Sequence, residues 1–369
     1  MKNVNVIAYY LPQYYPIPEN DEWWGEGFTE WTNVTKAKPL FRGHYQPKVP
    51  ADLGFYDLRA VDTIKNQVAL AKEAGISAFC LWHYWFGNNK VLLEKPLQLI
   101  LENKDVDFPI CLGWANESWE AKVWNSADSS NNKVLMKQEY GGSDDVKAHF
   151  EYVSKALKDE RYLRIDGRPV FVVYQPFLLP DATSFIKEFN SLLKESGIAE
   201  SFYFIGHTKD DAQIDAIRAM GFDAVNVVRI GPYRYDSDMI RKIPWKLFKF
   251  KVLHRPLVLD YSFVSKYFIK NDIDIREDVF PTLIPNWDHT PRSGRNGSVF
   301  HNATPELFGR HVQKALEATK NKKNNVIFLK SWNEWGEGNY MEPDLKFGKG
   351  YIEVLGNCLK NNQCNEGID

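Results

Sequence analysis

Long apolar runs are missing from this sequence. No stretch approaches the about 18 consecutive hydrophobic residues of a membrane-spanning helix, and the opening "MKNVNVIAYYLPQYYP" has neither a long apolar centre nor a small-residue cleavage site. An integral membrane segment is therefore not expected, and the chain reads as soluble and cytoplasmic. Charge of one sign is missing too: 46 Lys and Arg stand against 48 Asp and Glu, a net −2. No long-range field pulls on nucleic acid or an anionic membrane, so a ligand must be recognised locally. Cysteine is scarce. Cys80 and Cys111 fall in strand-like runs, Cys358 and Cys364 near the C-terminus, and no CxxC or Cys/His spacing suggests zinc or a disulfide framework.

Other absences narrow the chemistry. GxGxxG and GxxxxGK[ST], which cradle phosphates, do not occur; neither do HxH, HExxH or GxSxG. No cofactor and no metal is expected, and nothing points to a protein partner. Linker-like Ser/Gly or Pro-rich tracts and internal repeats are also lacking, so residues 1–361 read as one domain with a tail at 362–369.

What the chain does have is aromatic side chains, 12 Trp, 18 Tyr and 23 Phe, with most tryptophans outside helix-like segments. Rings in loops either cover a core or offer flat faces to a ligand. The chain also has eight short apolar runs: 4–11, 76–85, 108–115, 169–176, 201–207, 222–228, 279–287 and 325–332. Between them lie amphipathic stretches such as 57–75, closed by Gly75, and 144–159, 181–197 and 304–321, the last opened by Thr304 and Pro305. Strands buried on both faces and joined by helices predict an α/β protein, a single (β/α)8 TIM-type barrel with long loops after strands 1 (12–56) and 3 (116–143); a doubly wound open sheet is the alternative. A third excursion, 229–278, contains the basic "RKIPWKLFKFK", read as a solvated helix or a membrane or acceptor contact.

Barrel enzymes work at the C-terminal ends of their strands. There the first strand and its loop offer Tyr10, Gln13, Trp31 and His44; the second, Trp82, His83, Tyr84 and Trp85; the third, Trp114, Asn116 and Trp119; the fourth, Tyr174. The seventh is followed by Trp287, Asp288 and Arg292, and the eighth by Asn333 and Trp335. Indoles beside amides and carboxylates suit a sugar, whose C–H faces stack while its hydroxyls pair. The expected partner is an oligosaccharide or polysaccharide.

Cleaving a glycosidic bond needs two carboxyl groups, one to protonate the leaving oxygen and one to stabilise or generate charge at the anomeric centre. Glu334 and Glu337 in "SWNEWGEGNYMEPD" are the leading catalytic pair. On a straight strand they would face opposite ways, so the chain must curl after Asn333, as Gly336 and Gly338 permit. In a turn they come within about 5–6 Å, where one pKa rises. The bland reading is that a rim arginine pairs with either glutamate. Glu117, in "WANE", is a possible catalytic residue like the Asn-Glu acid/base of many retaining barrel glycosidases, although that acid normally follows the fourth strand.

Together, "YYLPQYYPIPENDEWWGEGFTEWTNVTKAKPLFRGHYQPKVPADLGFYDLR", "HYWF", "WANESW", "NWDHTPR" and "WNEWGEGNYMEPD" resemble the WbsX family over nearly the whole chain. Its members carry a domain similar to glycoside hydrolase family 99 and are often named glycosyltransferases or lipopolysaccharide biosynthesis proteins. The resemblance implies a (β/α)8 retaining, metal-independent endo-α-mannosidase-like enzyme. In such an enzyme Glu334 acts on the sugar's 2-hydroxyl, which attacks the anomeric carbon, and Glu337 is general acid and then base. Glu342, in "MEPD", matches the family's trailing "EP" segment and joins the site candidates. Gly336 stands where the similar hydrolase motif "NEWHEG" has histidine. Three functions follow: a hydrolase or transglycosidase on α-linked, mannose-like glycans of a surface polysaccharide or lipopolysaccharide; a glycosyltransferase of polysaccharide biosynthesis; or a non-catalytic glycan binder. Asp236/Asp238 and Asp272/Asp274 have the Asp-x-Asp spacing the second would use.

Overall fold

All eight expected strands form, and they close. In the computed structural model, which describes residues 4–121, 133–231 and 255–364 with residues 248 and 252, the strands are β1 (Asn5–Tyr10), β2 (Ala78–Trp85), β3 (Ile110–Trp114), β4 (Arg168–Val173), β5 (Tyr203–Thr208), β6 (Ala224–Val227), β7 (Val279–Leu283) and β8 (Val326–Leu329). Each pairs in parallel with its sequence neighbours, and β8 returns to β1, with Asn5 opposite Val326 and Ala8 opposite Leu329. Closure leaves no free edge and rules out the open doubly wound sheet. Nearly every strand position is buried, as side chains covered on both faces must be.

The crossovers follow the sequence periodicity. After the loop helix α1 (Glu30–Lys36), capped by Thr29, comes α2 (Val61–Glu73), which buries Ile64, Gln67, Val68 and Ala71. It stops at Gly75, whose φ of 76° suits a residue without Cβ. Next come α3 (Lys95–Glu102), α4 (Ser143–Leu157), α5 (Ala182–Glu195) and α6 (Ile214–Ala219); Asp181 caps α5 through Ser184 N at 2.9 Å. Beyond β7 lie the short α7 (Thr290–Ser293) and then α8 (Pro305–Thr319), whose Thr304 cap and Pro305 start are as expected. The final helix α9 (Gly350–Cys364) packs on α2 and α8 and passes the boundary expected at residue 361. Asp236, Asp238 and, Phe248 apart, the basic stretch 241–251 lie outside the described residues.

Inside the barrel, Tyr9 donates to Asn226 Oδ1 at 2.9 Å, and Asn226 donates to Thr282 and to the Phe280 carbonyl. The indole of Trp82 stacks on Tyr9 at 4.5 Å, and Tyr174 meets Trp82 edge-on at 5.3 Å. These rings form a floor beneath the C-terminal mouth.

Candidate active site

Beyond β8 the chain doubles back. Asn333–Glu334 pairs antiparallel with Asn339–Tyr340 around a short 3-10 turn, Trp335–Glu337, and Gly338 takes φ 53°. The hairpin is pinned from beneath. Asn333 exchanges both amide ends with Leu11, accepting from its N–H at 2.8 Å and donating to its carbonyl at 2.9 Å. Tyr14 donates to the Asn333 carbonyl and accepts from Trp335 N. Trp335 stacks on Tyr340 at 3.7 Å and donates its indole N–H to Glu342 at 2.6 Å. A Cβ at residue 338 would lie 2.6 Å from Lys48 Nζ and 2.7 Å from Asp288 Cβ, so glycine is required there on two counts. Gly336 is different: its φ is ordinary, and a Cβ there would fall on Glu30 Oε2, so any larger residue must displace that carboxylate.

This turn brings Glu334 and Glu337 to one guanidinium. Arg292, on α7, donates through Nη2 to Glu334 Oε1 at 2.5 Å and through Nη1 to Glu337 Oε1 at 2.9 Å. Its Nε and Nη2 also reach Glu30 Oε2, at 3.2 and 3.0 Å. His289 Nε2 lies 3.6 Å from Glu337 Oε1, and Lys330 Nζ lies 3.8 Å from Oε2. The rim-arginine alternative is thus realised, and realised for both glutamates at once. Arg292 sits at the C-terminal mouth, the catalytic end of such barrels, not beneath it.

Burial and charge split the two carboxyls. Burial lifts Glu334 to about 7; Arg292 opposes this, while the Glu337 and Glu30 charges add to it. Burial would also raise Glu337, but Lys330, His289 and Arg292 outweigh it and hold that group well below the usual carboxylate range. Of the two, Glu334 is the one that holds a proton more readily.

Around the cluster stand several expected residues. Tyr84 packs edge-on against Trp119 at 5.1 Å, and burial, then the Glu334 charge, raise its phenol. Burial and then the charge of half-buried Glu117 raise the Tyr174 phenol, so Glu117 belongs to the same mouth. Trp287 faces Lys330, with Nζ 5.8 Å from the ring centroid. Gln13 is half-buried, and its carbonyl accepts from Glu30 N at 3.2 Å.

Other expected sugar contacts point elsewhere. Tyr10 donates to Gln67 on α2 at 2.7 Å, outside the barrel. His83 and Trp85 face α4: the His83 and His149 Nε2 atoms are 2.8 Å apart, and Trp85 stacks on His149. Trp114 joins them, donating to the Trp85 carbonyl. Asn116 spends its amide on Gln175 N and O and on Tyr140. Asn333, Trp335 and Trp31 are buried hairpin supports; the Trp31 indole donates to the Tyr56 carbonyl. Glu342 lies under the turn, accepting from Trp335, from Tyr56 at 2.9 Å and from Gln67 at 2.6 Å. All four acceptor positions of Asp288 are taken, by His44 and Gln46 (2.7 Å each) and by Thr290 N and Oγ1. With Trp287, His44 and Asp288 line a separate cavity of about 200 Å³ that also holds buried Lys48.

Reading the sequence missed Glu30, His289 and Lys330. Each lies within or beside a quoted motif, "GFTEW", "NWDHTPR" and "KSWNEW", but nothing in its spacing marks it. Among the described residues no group of three His, Cys, Asp or Glu could hold a metal ion. Asp274 of the Asp-x-Asp pair is buried against Arg229 at 2.7 Å and serves that ion pair.

The family model "Glycosyltransferase WbsX" matches residues 6–355. The uncharacterized protein WxcX of Xanthomonas campestris pv. campestris (strain B100) is 35% identical over 368 residues, covering 96% of this chain and 49% of that protein. A glycoprotein endo-alpha-1,2-mannosidase-like protein of Mus musculus is 23% identical over 301 residues, 79% of this chain and 57% of that one. The chain thus spans about half the length of the curated relatives it matches. Among solved structures, the GH99 endo-alpha-mannosidase from Bacteroides thetaiotaomicron superposes with a TM-score of 0.58 at 15% identity over 98% of both chains, and a glycoside hydrolase-like protein with 0.60 at 13% over 97% and 94%. At such identities the likeness is one of fold. Motifs and family model agree over nearly the same span, and the chain belongs to the WbsX glycosyltransferase family.

Proposed function

We propose that this chain is a glycan-processing enzyme: a retaining, metal-independent glycoside hydrolase or transglycosidase acting on α-linked, mannose-like glycans of a surface polysaccharide or lipopolysaccharide. The observation that carries the proposal is the meeting of two buried carboxyls from one turn, Glu334 and Glu337, at the aromatic-walled C-terminal mouth of a (β/α)8 barrel. The names of the mannosidase-like relatives favour the same substrate class.

In the reaction, Glu334 takes the proton of the sugar's 2-hydroxyl, whose oxygen bonds to the anomeric carbon as the glycosidic bond breaks. Glu337 gives its proton to the departing oxygen. Water then opens the 1,2-anhydro ring: Glu337 takes a proton from water, Glu334 returns one to the 2-oxygen, and configuration is retained. Arg292, which bridges both carboxyls, stands beside them as a fixed positive charge.

One observation favours a second reading. In the free site the proton prefers Glu334 and Glu337 stays ionised, the reverse of what these roles require. An exchange of roles between the two would match that distribution.

Activated α-mannosides, offered without nucleotide or added metal, test the proposal. Glu337→Gln is expected to lower turnover by about 10²- to 10⁴-fold. With α-mannosyl fluoride, whose departure needs no proton, Glu337→Gln retains the first step, read as fluoride release in a single turnover, and Glu334→Gln loses it; the opposite result establishes the exchanged roles. Turnover only with a nucleotide sugar would make the chain the transferase that its family name describes.

A further inference from the structure

We propose that Glu30 is a positioning residue of this site: its carboxylate fills the space that Gly336 leaves open and fixes Arg292 so that one guanidinium spans Glu334 and Glu337. The inference rests on reading those two glutamates as the reacting pair.

Glu30 begins α1, on the long loop after β1, and Thr29 caps the helix. Its side chain is 4% exposed, and a buried carboxylate needs compensating donors. It takes them from Arg292, through Nε at 3.2 Å and Nη2 at 3.0 Å. A guanidinium is a rigid planar fork, so occupying its Nε edge determines where the other nitrogens point. With Glu30 on that edge, Nη2 meets Glu334 and Nη1 meets Glu337. Without it, the fork is free to turn about its last bonds and can engage either glutamate alone.

Gly336 supplies the complementary half. A Cβ there would overlap Glu30 Oε2 and lie 3.0 Å from Arg292 Nε. The place Glu30 takes is thus open only while residue 336 lacks a Cβ, although 306 positions separate the two. The charges agree with this design. Glu334 is faced by Arg292, Glu337, Glu30 and Lys330, with His289 beside Glu337 and the phenols of Tyr14 and Tyr84 close by. Of these, Glu30 contributes a negative charge that no proton transfer in the proposed reaction uses.

Two readouts that need no substrate test the proposal. The first is a stability cycle of Gly336→Ala, Glu30→Ala and the double variant. Gly336→Ala is expected to lower the Tm by several degrees in the presence of Glu30 and by much less in its absence. The second is the ¹³C titration of the Glu334 side-chain carboxyl, identified by its loss in Glu334→Gln. Glu30→Gln keeps the volume and removes the charge, so the Glu334 titration moves down by about one pH unit. The kcat on an activated α-mannoside should fall at least tenfold, with a smaller change in KM. Additive Tm changes, or a Glu334 titration unmoved by Glu30→Gln, would overturn the proposal; coupling in Tm alone would leave Glu30 a packing residue. A wild type that turns over no glycoside would sink the functional reading, while both readouts would still decide the place of Glu30.

Discussion

Arg292 is the residue on which the site turns. It meets three carboxylates, and a lysine, with a single point of charge, cannot bridge all of them. Arg292→Lys is expected to keep the fold and lose turnover by more than about tenfold. Arg292→Ala leaves Glu30, Glu334 and Glu337 facing one another. Its cost should be on the order of 2 to 3 kcal/mol at pH 8, below the range for fully buried pairs because 26% of the Arg292 side chain is exposed. The sign of the pH dependence follows. Without the guanidinium the folded-state carboxyl pKa values rise above their unfolded values, so stability is greatest in acid and is lost as pH rises through them. Wild type and variant should differ less in urea midpoint at pH 5 than at pH 8. Glu342 makes a different prediction. It accepts from Trp335, Tyr56 and Gln67, and an amide at that position sets a donor against a donor. Glu342→Gln should cost about 1–3 kcal/mol in denaturant unfolding.

At the scale of elements, strand parity explains most of the misplaced sugar contacts. Successive side chains on a strand face opposite ways. In β2, Trp82 and Tyr84 therefore turn to the barrel and its mouth, while His83 and Trp85 turn to α4. In β1, Tyr9 points in and Tyr10 points out. "WHYW" has an aromatic ring with a polar group at every position, and nothing in it says which parity is inward. The turn after β8 is better marked: the curl that would bring Glu334 and Glu337 together does form, but only Gly338 is there for its dihedral angle. Gly338→Ala would force φ 53° on a residue with Cβ and push into Asp288, whose N–H donates to the Glu337 carbonyl at 2.7 Å. The expected result is a loss of about 1–3 kcal/mol, read as a lower Tm, with turnover reduced further because the Glu337 backbone shifts.

For the whole molecule, the last described helix, α9, covers α2 and α8, the helices that flank the seam where β8 meets β1. Ile352 and Leu355 of α9 are fully buried, and Gly356 comes so near α2 that a Cβ would lie 2.8 Å from the Glu73 carbonyl. A chain ending at Lys349 would uncover α2 and α8. Each exposed aliphatic side chain costs about 1.5–3 kcal/mol, and a few of them exhaust the about 5–15 kcal/mol by which a domain is stable. Such a truncation should lose its near-ultraviolet circular dichroism and be digested rapidly by protease.

The barrel was legible because each of its determinants is local: apolar runs of strand length, helices of 3.6-residue period, a Thr-Pro start and a Gly stop all act within a few neighbours. The two catalytic candidates were legible for a related reason, since one short turn carries both. What only the tertiary structure decided is everything that needs distant segments to meet. Arg292, expected to touch sugar, is found to meet Glu30, Glu334 and Glu337. Glu30 arrives from a loop at the other end of the chain and lies where a Cβ at residue 336 would fall. Position along the chain says nothing about such encounters, because they exist only once β8 has closed on β1 and brought the first loop over the last turn.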